Sequence, residues 1–521
     1  MILADRRIEL VPNPSPAARP VLEAVILGHC PGTARWERVA RDPRLLEGLG
    51  GLGFGAQARR LEALAERPAP APEAGDEDLK RLYGLPLTLL SLGHFQALFP
   101  EAFSAPAAYR SRLAGNRAWL PLAVQDFFES AGDLPDGAAR LWVIRVDEAG
   151  GEAGFLPAAH PDLRDPASLG PFDRALLIPG TGLIALPDLE RLQIPAQLAD
   201  VRRVRLPNPE PVFLPCGTEL DDSHRERRHS GEMPAVPPRM APRRVIPPIL
   251  RSLARHRPDL QCLLALPLDP EARGELPAPS RQALALVRGI AGRGNGAEPH
   301  GELYPALRHL QLLYPYLAGP DRPLASPAGL VAGAVVRSSQ LRGPWRSSAG
   351  QPLPGHALPY PRLSQHAATA LREDPGVGVL LVRAGSVELD DERLAGPAVP
   401  VAALSGGALP ADYHSGEIAR FLGWLRRELT ALGERLLFDV DPRDPRPLMA
   451  LERFLGELHA RGALRGARPE QAYRVVQHPA AEAVLAFDIE IAPAFPIDRL
   501  RLTFIHDRDS GGLPRLEIRS G

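Results

Sequence analysis

The chain has 521 residues, 45% hydrophobic and 24% charged, which is a globular composition of a length that suits roughly two to four domains. Its 61 basic and 62 acidic side chains nearly cancel, so the charge gives no case for a nucleic-acid partner. The cysteines Cys30, Cys216 and Cys262 are widely spaced and odd in number, which excludes a disulfide framework or a paired zinc motif.

The sequence shows neither a membrane-spanning segment nor an export signal. No apolar run approaches the roughly 20 residues that cross a bilayer. The amino-terminal sequence M-I-L-A-D-R-R-I-E-L-V-P lacks the layout of a signal peptide. We therefore expect assembly in the cytoplasm without direct membrane insertion, and release from the cell only as part of a larger particle.

The first predicted element is an amino-terminal arm, residues 1–18. Ile2, Ile8 and Leu10 are apolar among charged residues, as in a strand, and a proline-rich run then keeps the chain extended. The next segment, Val21–Gly28, is a nearly continuous apolar run. It predicts a buried strand at the start of the main domain.

Gly48, Gly50 and Gly53 have the G-x-G-x-x-G spacing of a dinucleotide-binding turn. In such a site the glycines follow a strand, and a second strand ends in an acidic residue. Here a helix-like segment (44–47) precedes the glycines, and a proline-rich run (68–78) stands in place of the second strand. This context favours a loop over a nucleotide site.

A helix and a strand open an α/β layer in the first part of the main domain, residues 19–146. Trp119–Gly132 has the pattern of an amphipathic helix, and Arg140–Val146 that of a strand. We expect the second part of the same domain at residues 321–400.

The range 147–320 is proline-rich and less regular, so we predict an inserted outer domain there. It includes a predicted strand at 260–268 and a predicted helix at 281–290. Its polar loop contains Cys216, His224 and His229, which are metal-ligand types but lack a matching second pair of ligands. A solvated loop is the expected structure, and an enzyme with a nucleotide or metal site in this insertion is the alternative.

The carboxyl-terminal domain, residues 401–506, begins with two amphipathic helices. The first is expected to start at Ser415 as N-cap and to end at Gly433, and the second to start after Asp444 and to end at Gly462. Their apolar stripes are Ile418, Phe421, Leu422, Leu425, Leu429 and Leu432 in the first, and Leu448, Leu451, Phe454, Leu455 and Leu458 in the second.

The connection between these helices is predicted to contain a short strand, Leu436–Phe438. Asp439, Asp441 and Asp444 follow it. They resemble a carboxylate cluster, but capping and turn formation are the expected roles.

Two strands with period-two alternation end this domain. Leu485, Phe487, Ile489 and Ile491 share one face of the first strand, and Asp488 and Glu490 the other. Leu500, Leu502 and Phe504 alternate with Arg499, Arg501 and Thr503 in the second. Acidic and basic residues opposed across the two strands should stabilise their pairing by about 0.2–1 kcal/mol per pair.

Several separated segments resemble the contractile tail sheath family, which builds phage tail sheaths and the sheaths of phage-like injection particles. They are Phe127–Gly132, Ser326–Arg337, Arg342–Gly355, Gly462–Val476 and Asp488–Pro496. In that family a helix ends F-F-x-N-G-G, and a later V-A-G leads into a short strand and a tryptophan. Here Ser130 and Ala131 stand in place of the usual asparagine and glycine.

The resemblance implies an α/β (α+β) fold with a mixed sheet, a conserved carboxyl-terminal domain and an inserted outer domain. It implies a structural subunit, not an enzyme, that needs no cofactor. Copies of the chain would form rings, expected to be hexameric, around an inner tube on a baseplate, and would contract to drive the tube through an envelope. A specialised paralogue at the baseplate or distal end is the alternative within the family.

Both chain ends are predicted to be strand-like arms (1–18 and 507–521) that add to the sheets of neighbouring copies. The predicted subunit-interface residues are Ile2, Ile8, Leu10, Phe487, Ile489, Leu502, Phe504, Leu516 and Ile518. The outer face of the second helix, with Arg453, Glu457 and Arg461, is predicted either to contact the inner tube or to be solvated.

Overall fold

The computed structural model describes residues 22–66, 71–104, 117–134, 139–195, 238, 240–269, 278–292, 301–319, 322–355, 357–373, 376–395, 415–436, 445–478, 484–494, 500–507 and 515–520. The predicted strand at 2–11, the loop with Cys216, His224 and His229, and the aspartates at 439, 441 and 444 lie outside the described residues.

The described strands are β1 (Glu23–Gly28), β2 (Pro86–Leu89), β3 (Leu141–Arg145), β4 (Thr181–Ala185), β5 (Gln261–Ala265), β6 (Leu268–Asp269), β7 (Ala278–Pro279), β8 (Leu310–Tyr314), β9 (Tyr316–Gly319), β10 (Arg322–Ala325), β11 (Pro352–Leu353), β12 (Leu358–Tyr360), β13 (Val377–Arg383), β14 (Ser386–Leu389), β15 (Tyr473–Gln477), β16 (Val484–Ile491), β17 (Leu500–Asp507) and β18 (Arg515–Ser520).

The described α-helices are α1 (Trp36–Val39), α2 (Pro43–Gly51), α3 (Gly55–Ala65), α4 (Asp76–Lys80), α5 (Leu92–Leu98), α6 (Trp119–Ala131), α7 (Pro171–Ala175), α8 (Pro187–Leu192), α9 (Pro242–His256), α10 (Arg281–Ile290), α11 (Leu303–Ala306), α12 (Ala328–Arg342), α13 (Gln365–Glu373), α14 (Gly416–Leu436), α15 (Arg446–Ala460) and α16 (Pro469–Ala472). Among the described residues, none of these helices combines the length and apolar character needed to span a membrane.

A mixed sheet of nine described strands organises the main domain, in the order β11-β14-β13-β8-β5-β4-β1-β3-β2. The six strands from β13 to β3 in this order pair in parallel, and antiparallel strands flank them on both sides. The middle strands read as apolar runs such as V-I-L and C-L-L-A because both faces of a parallel sheet are covered. The predicted α/β class with a mixed sheet is therefore the observed architecture.

The predicted inserted outer domain at 147–320 is not what the structure shows. This range supplies β4, β5 and β8, which lie in the middle of the central sheet. One apolar core extends from Leu22 to Ala395 and includes side chains from these strands. The sequence of this range is irregular because its strands are short and separated by long proline-rich connections, not because it folds apart from the main domain.

The segment V-A-G-A-V-V forms the middle of α12, where the family pattern predicted a short strand. Nearly every side chain from Ala328 to Val336 is buried, so this helix lacks the one-sided apolar stripe that identifies a helix from sequence. Gly329 and Gly333 lie against α6. A β-carbon added there would be 2.2 Å from the Ala123 carbonyl oxygen and 2.3 Å from that of Phe127, respectively. Two glycines one turn apart thus let the backbones of α12 and α6 touch.

Several other predicted elements are confirmed. The structure has strands at Glu23–Gly28, Leu141–Arg145 and Gln261–Ala265, and helices at Trp119–Ala131 and Arg281–Ile290. The predicted glycine loop is wrong in part, because Gly48 and Gly50 lie inside α2 and only Gly53 follows it. A helix that contains the first two glycines does not form a phosphate-binding turn.

A second apolar core belongs to the carboxyl-terminal domain. The buried side chains of α14 and α15 pack against side chains of β15 and β16, and Trp345 from the main domain joins them. The predicted end at Gly433 is wrong, since α14 continues to Leu436. Leu436 is accordingly the last residue of a helix, not part of the predicted strand, and Leu437 and Phe438 lie outside the described residues.

Replacing Gly329 with alanine should destabilise the protein, since the new methyl group meets backbone atoms of α6 and the helices must separate. We expect a loss of about 1–3 kcal/mol in the free energy of unfolding, measured by urea denaturation. Gly289→Ala in α10 is the matched control, because a β-carbon there meets nothing within 4 Å. Equal stability of the two variants would contradict the close contact between α6 and α12.

Candidate assembly interface

The carboxyl-terminal sheet is the candidate interface between copies. Its strands β15, β16, β17 and β18 pair in sequence order, each antiparallel to the next. Among the described strands, β15 and β18 pair on one side only. Each is therefore an edge at which a further strand could add through backbone hydrogen bonds.

The alternation of β16 fixes which face of this sheet is buried. Phe487, Ile489 and Ile491 are at most 2% exposed, whereas Asp488 and Glu490 are partly exposed. The predicted assignment of faces is confirmed for residues 487–491, and the side chain of Leu485 lies outside the described ones. Phe487 and Ile489, predicted as subunit-interface residues, are core residues of their own domain and do not face a surface that another subunit could touch.

The remaining carboxyl-terminal interface residues stand in register with these two. Ile489 pairs with Leu502, and Phe487 with Phe504. Leu502 and Phe504 then pair with Ile518 and Leu516 of β18. The predicted strand in the carboxyl-terminal arm (507–521) is confirmed as β18, and in the single chain β18 occupies the edge of its own sheet. Its exchange with a neighbour, like the interface role of Ile2, Ile8 and Leu10, stays a prediction.

The opposite edge strand is β15, which lies between the second helix and the alternating pair of strands. Tyr473 and Val475 pack against the domain core, while Arg474 and Val476 are exposed. Val476, at 39% exposure, places an apolar side chain on the outer surface next to the edge. The alternation of Y-R-V-V-Q is broken by two consecutive valines, so the sequence signal for a strand is weak here.

Opposite charges face each other across the sheet. In the backbone register Glu490 stands opposite Arg474 on one side and Arg501 on the other. His478 Nε2 lies 2.9 Å from Asp488 Oδ2. The predicted opposition of acidic and basic residues therefore occurs at Glu490 and Arg501, and it extends to β15.

The outer face of α15 presents Arg453 and Glu457, whose side chains are 66% and 38% exposed and 3.3 Å apart. Met449, one turn before Arg453, is 62% exposed. Leu451, Leu455 and Leu458 point into the domain core. Arg461 follows the last helical residue as the C-cap. Met449, Arg453 and Glu457 thus form one exposed stripe. The sequence-based prediction named Arg453 and Glu457 but not Met449, although Met449 lies four residues before Arg453 in the sequence.

The carboxyl edge of the central sheet, where α/β enzymes hold their ligands, is filled by buried polar side chains. Asp188 is fully buried and accepts hydrogen bonds from the backbone N–H groups of His29 (2.9 Å), Trp119 (3.0 Å) and Leu120 (2.9 Å). Arg191 Nε donates to Asp188 Oδ1 at 2.8 Å, and Arg191 Nη2 lies 3.0 Å from His29 Nδ1. Asp188 therefore joins the end of β1 to the start of α6.

The contacts of Asp188 hold neighbouring elements of the fold together. Burial lowers the pKa of His29, which favours the neutral ring. A β-carbon at Gly28 would lie 2.6 Å from Asp188 Oδ2, so the glycine provides the space that the carboxylate occupies. Asp188 and Arg191 are engaged with each other, and Asp188 also with the backbone.

Glu190 is a second buried carboxyl group at this edge. Its Oε1 accepts a hydrogen bond from the Ala265 N–H at 2.9 Å. Burial raises the pKa of Glu190 to about 8, despite the lowering effect of this hydrogen bond. The folded protein therefore holds Glu190 in its protonated form at neutral pH.

A surface cleft of about 560 Å³ lies between α1 and α5. Its lining residues are Arg35, Glu37, Arg38, Arg41, Asp42, His94, Ala97 and Leu98. The three arginines are exposed. Such a lining suits an ionic contact with another macromolecule better than chemistry that requires exclusion of water. The described residues also contain no group of three or more His, Cys, Asp or Glu side chains that could hold a metal ion.

Glu190 predicts a pH dependence of stability. Its folded pKa of about 8 lies above the ordinary 4.5, so its stabilising contribution is complete below pH 4.5 and is lost as the pH rises towards 8. Glu190→Gln should remove a fall of up to about 1.4 kcal/mol per pH unit in this window, measured by chemical denaturation at pH 5 to 9. The exposed Glu62→Gln is the control, and parallel stability curves for wild type and E190Q would refute the protonated state.

The solved structures that are similar to this chain include proteins of contractile sheaths. A chain of the anti-feeding prophage helical sheath in the contracted state is 14% identical, with a TM-score of 0.48 and coverage of 95% of this chain and 97% of that one. The sheath tail protein from Listeria innocua is 10% identical, with a TM-score of 0.45 and coverage of 95% and 96%.

A third similar structure is the contracted sheath complex of an extracellular contractile injection system, PVC. The matched chain is 9% identical, with a TM-score of 0.41 and coverage of 80% of this chain and 84% of that one. No family model matches the chain, and no curated protein matches it.

Proposed function

We propose that this chain is a structural subunit of the contractile sheath of a phage-like injection system or phage tail. The observation that carries the proposal is the pair of edges of the β15–β18 sheet, together with strand-like sequence at both chain ends. A subunit that receives a strand at one edge and lends a terminal strand to another copy forms a continuous polymer.

The residues that carry the family resemblance support the proposal through their positions. Trp345 packs against Phe421 and Trp424 in the carboxyl-terminal core. Gly462, with a φ of +73°, ends α15, and the glycines of the V-A-G segment form the contact of α12 with α6. These matches therefore coincide with sites where the fold restricts residue type, as a shared architecture would require.

In this proposal each subunit pairs with copies of itself, in rings expected to be hexameric, and surrounds an inner tube above a baseplate. The stripe of Met449, Arg453 and Glu457 on α15, continued by Arg461, is the surface that meets the tube. The subunit performs no catalysis and needs no cofactor, and the particle is assembled in the cytoplasm before any release. A specialised paralogue at the baseplate or distal end would use the same edges but would form a single layer.

The enzyme alternative makes a different prediction from the sheath proposal. A nucleotide- or metal-dependent enzyme would act as a discrete molecule that binds its ligand tightly. A sheath subunit forms tubes, alone or with its inner tube. Negative-stain electron microscopy of the expressed protein therefore distinguishes the two.

Deletion of residues 2–11 should abolish long polymers while leaving the folded subunit intact, since the deleted segment is proposed to serve a neighbouring copy. A finer version replaces Ile8 and Leu10 with aspartate, and the intervening Glu9 with serine as the control. We expect tubes from the control, counted in micrographs, and isolated subunits or short rings from the double variant. Full-length tubes from the deletion would refute strand addition by the amino-terminal arm.

Arg453→Glu should weaken binding of the inner tube, because it removes a cation from the exposed stripe of α15 and places two acids one turn apart. We expect a loss of about tenfold, equivalent to about 1.4 kcal/mol, in cosedimentation with purified tube. Arg59→Glu, at another exposed helical position, is the control. Unchanged binding by R453E would assign this face to solvent.

A further inference from the structure

Helix α14 makes contacts on a second face, opposite its apolar stripe, that the sequence pattern does not reveal. Gly416, Arg420, Gly423 and Arg427 follow one another at intervals of four, three and four residues, which places them on one side of the helix. The apolar residues of α14 point into the carboxyl-terminal core. The glycine and arginine stripe contacts the main domain instead.

The first half of the stripe binds the segment after β14. Gly416 N donates to the Glu392 carbonyl oxygen at 2.6 Å, and Gln261 of β5 donates to the Gly416 carbonyl oxygen at 2.9 Å. Arg420 Nη2 lies 2.7 Å from Glu392 Oε2, with both side chains at most 1% exposed.

Arg420 and Glu392 also hold a loop of the main domain. Arg420 donates to the carbonyl oxygens of Pro344 and Arg346, at 3.3 and 3.2 Å. The other oxygen of Glu392 accepts the Ser348 N–H at 2.9 Å. The same ion pair therefore fixes the loop that delivers Trp345 to the carboxyl-terminal core.

The second half of the stripe binds the turn before β5. Arg427 Nη1 donates to the carbonyl oxygen of Asp259 at 2.9 Å and to its Oδ2 at 3.0 Å. Arg257 also pairs with Asp259, and it reaches the carbonyl oxygens of Leu176, Ile178 and Thr181. Asp259 thus links α14 to the starts of β4 and β5.

Gly423 sets the distance of the helix from this turn. A β-carbon added at Gly423 would lie 2.4 Å from the Asp259 carbonyl oxygen. Any other residue at this position moves α14 outwards and lengthens the ion pairs Arg420–Glu392 and Arg427–Asp259. Such pairs stabilise the protein only at close range, and a buried charge that loses its partner destabilises it.

We propose that this stripe is an interdomain lock, which makes the main and carboxyl-terminal domains open and move as one body. The two apolar cores are separate clusters, and the main domain contributes Trp345 to the carboxyl-terminal one on the loop that Arg420 and Glu392 hold. Coupling of this kind acts within a single chain, whether or not the chain polymerises. In a sheath it would pass force from the sheet edges of the carboxyl-terminal domain into the main domain.

The test is native-state hydrogen exchange on the full-length protein, which reports the opening of each segment separately. In the wild type we expect the most protected amides of α14 and β16 to exchange at the same rate as those of β4 and β5. In Gly423→Ala we expect α14 and β16 to exchange at least about tenfold faster, while β4 and β5 keep their protection.

Gly456→Ala is the matched control, because Gly456 is also inside a helix of the same domain and a β-carbon there meets only the Tyr473 hydroxyl at 3.4 Å. We expect no separation of the two domains in this variant. The lock would be refuted if amide exchange in α14, β16, β4 and β5 became faster by the same factor in Gly423→Ala, or did not change. It would also be refuted by a wild type in which α14 and β16 already exchange faster than β4.

A second pair of variants covers the case in which Gly423→Ala does not fold. Arg427→Met removes the interaction with Asp259, and Arg427→Lys keeps the charge but not the two-acceptor geometry. We expect the exchange rates of α14 and β16 to rise in the order wild type, R427K, R427M. Indistinguishable rates in the three proteins would overturn the role of this ion pair in coupling.

Discussion

The carboxylate of Asp188 satisfies the polar groups that meet where the parallel strands of the central sheet end. It accepts two backbone N–H groups at the start of α6 and one at the end of β1, and it neutralises Arg191. Without it these donors would be buried without acceptors, which is costly. Because α6 in turn supports α12 at the two glycines, the stacking of helices on this face of the sheet depends on one side chain.

The same contacts involve buried polar side chains at the edge of the sheet where α/β enzymes bind ligands. Asp188, Glu190 and Arg191 are all buried there. Asp188 and Arg191 bind each other and neighbouring groups of the protein, and the protonated Glu190 adds no charge at neutral pH. These residues therefore hold the ends of the parallel strands to the neighbouring helices.

Rigidity in the body contrasts with incomplete pairing at the sheet edges. The central sheet is buried on both faces, whereas the carboxyl-terminal sheet ends in β15 and β18, each paired on one side among the described strands. Helix α14 lies between these two parts and is buried on both faces, by leucines and aromatics on one side and by ion pairs and glycines on the other. Helix α14 therefore connects the carboxyl-terminal sheet to the central sheet through contacts on both of its faces.

Elements whose sequence signal is local could be predicted before the fold was known. Alternation identified β16 and β17, and one-sided apolar stripes identified α6, α14 and α15, because each pattern depends only on neighbouring residues and one buried face. It could not identify α12, whose all-round burial removes the stripe, nor the lock residues Arg420 and Arg427, which resemble ordinary surface arginines until Glu392 and Asp259 are placed beside them. Only the tertiary structure decided that β4, β5 and β8 lie in the centre of the sheet, since strand order depends on contacts between residues far apart in the chain.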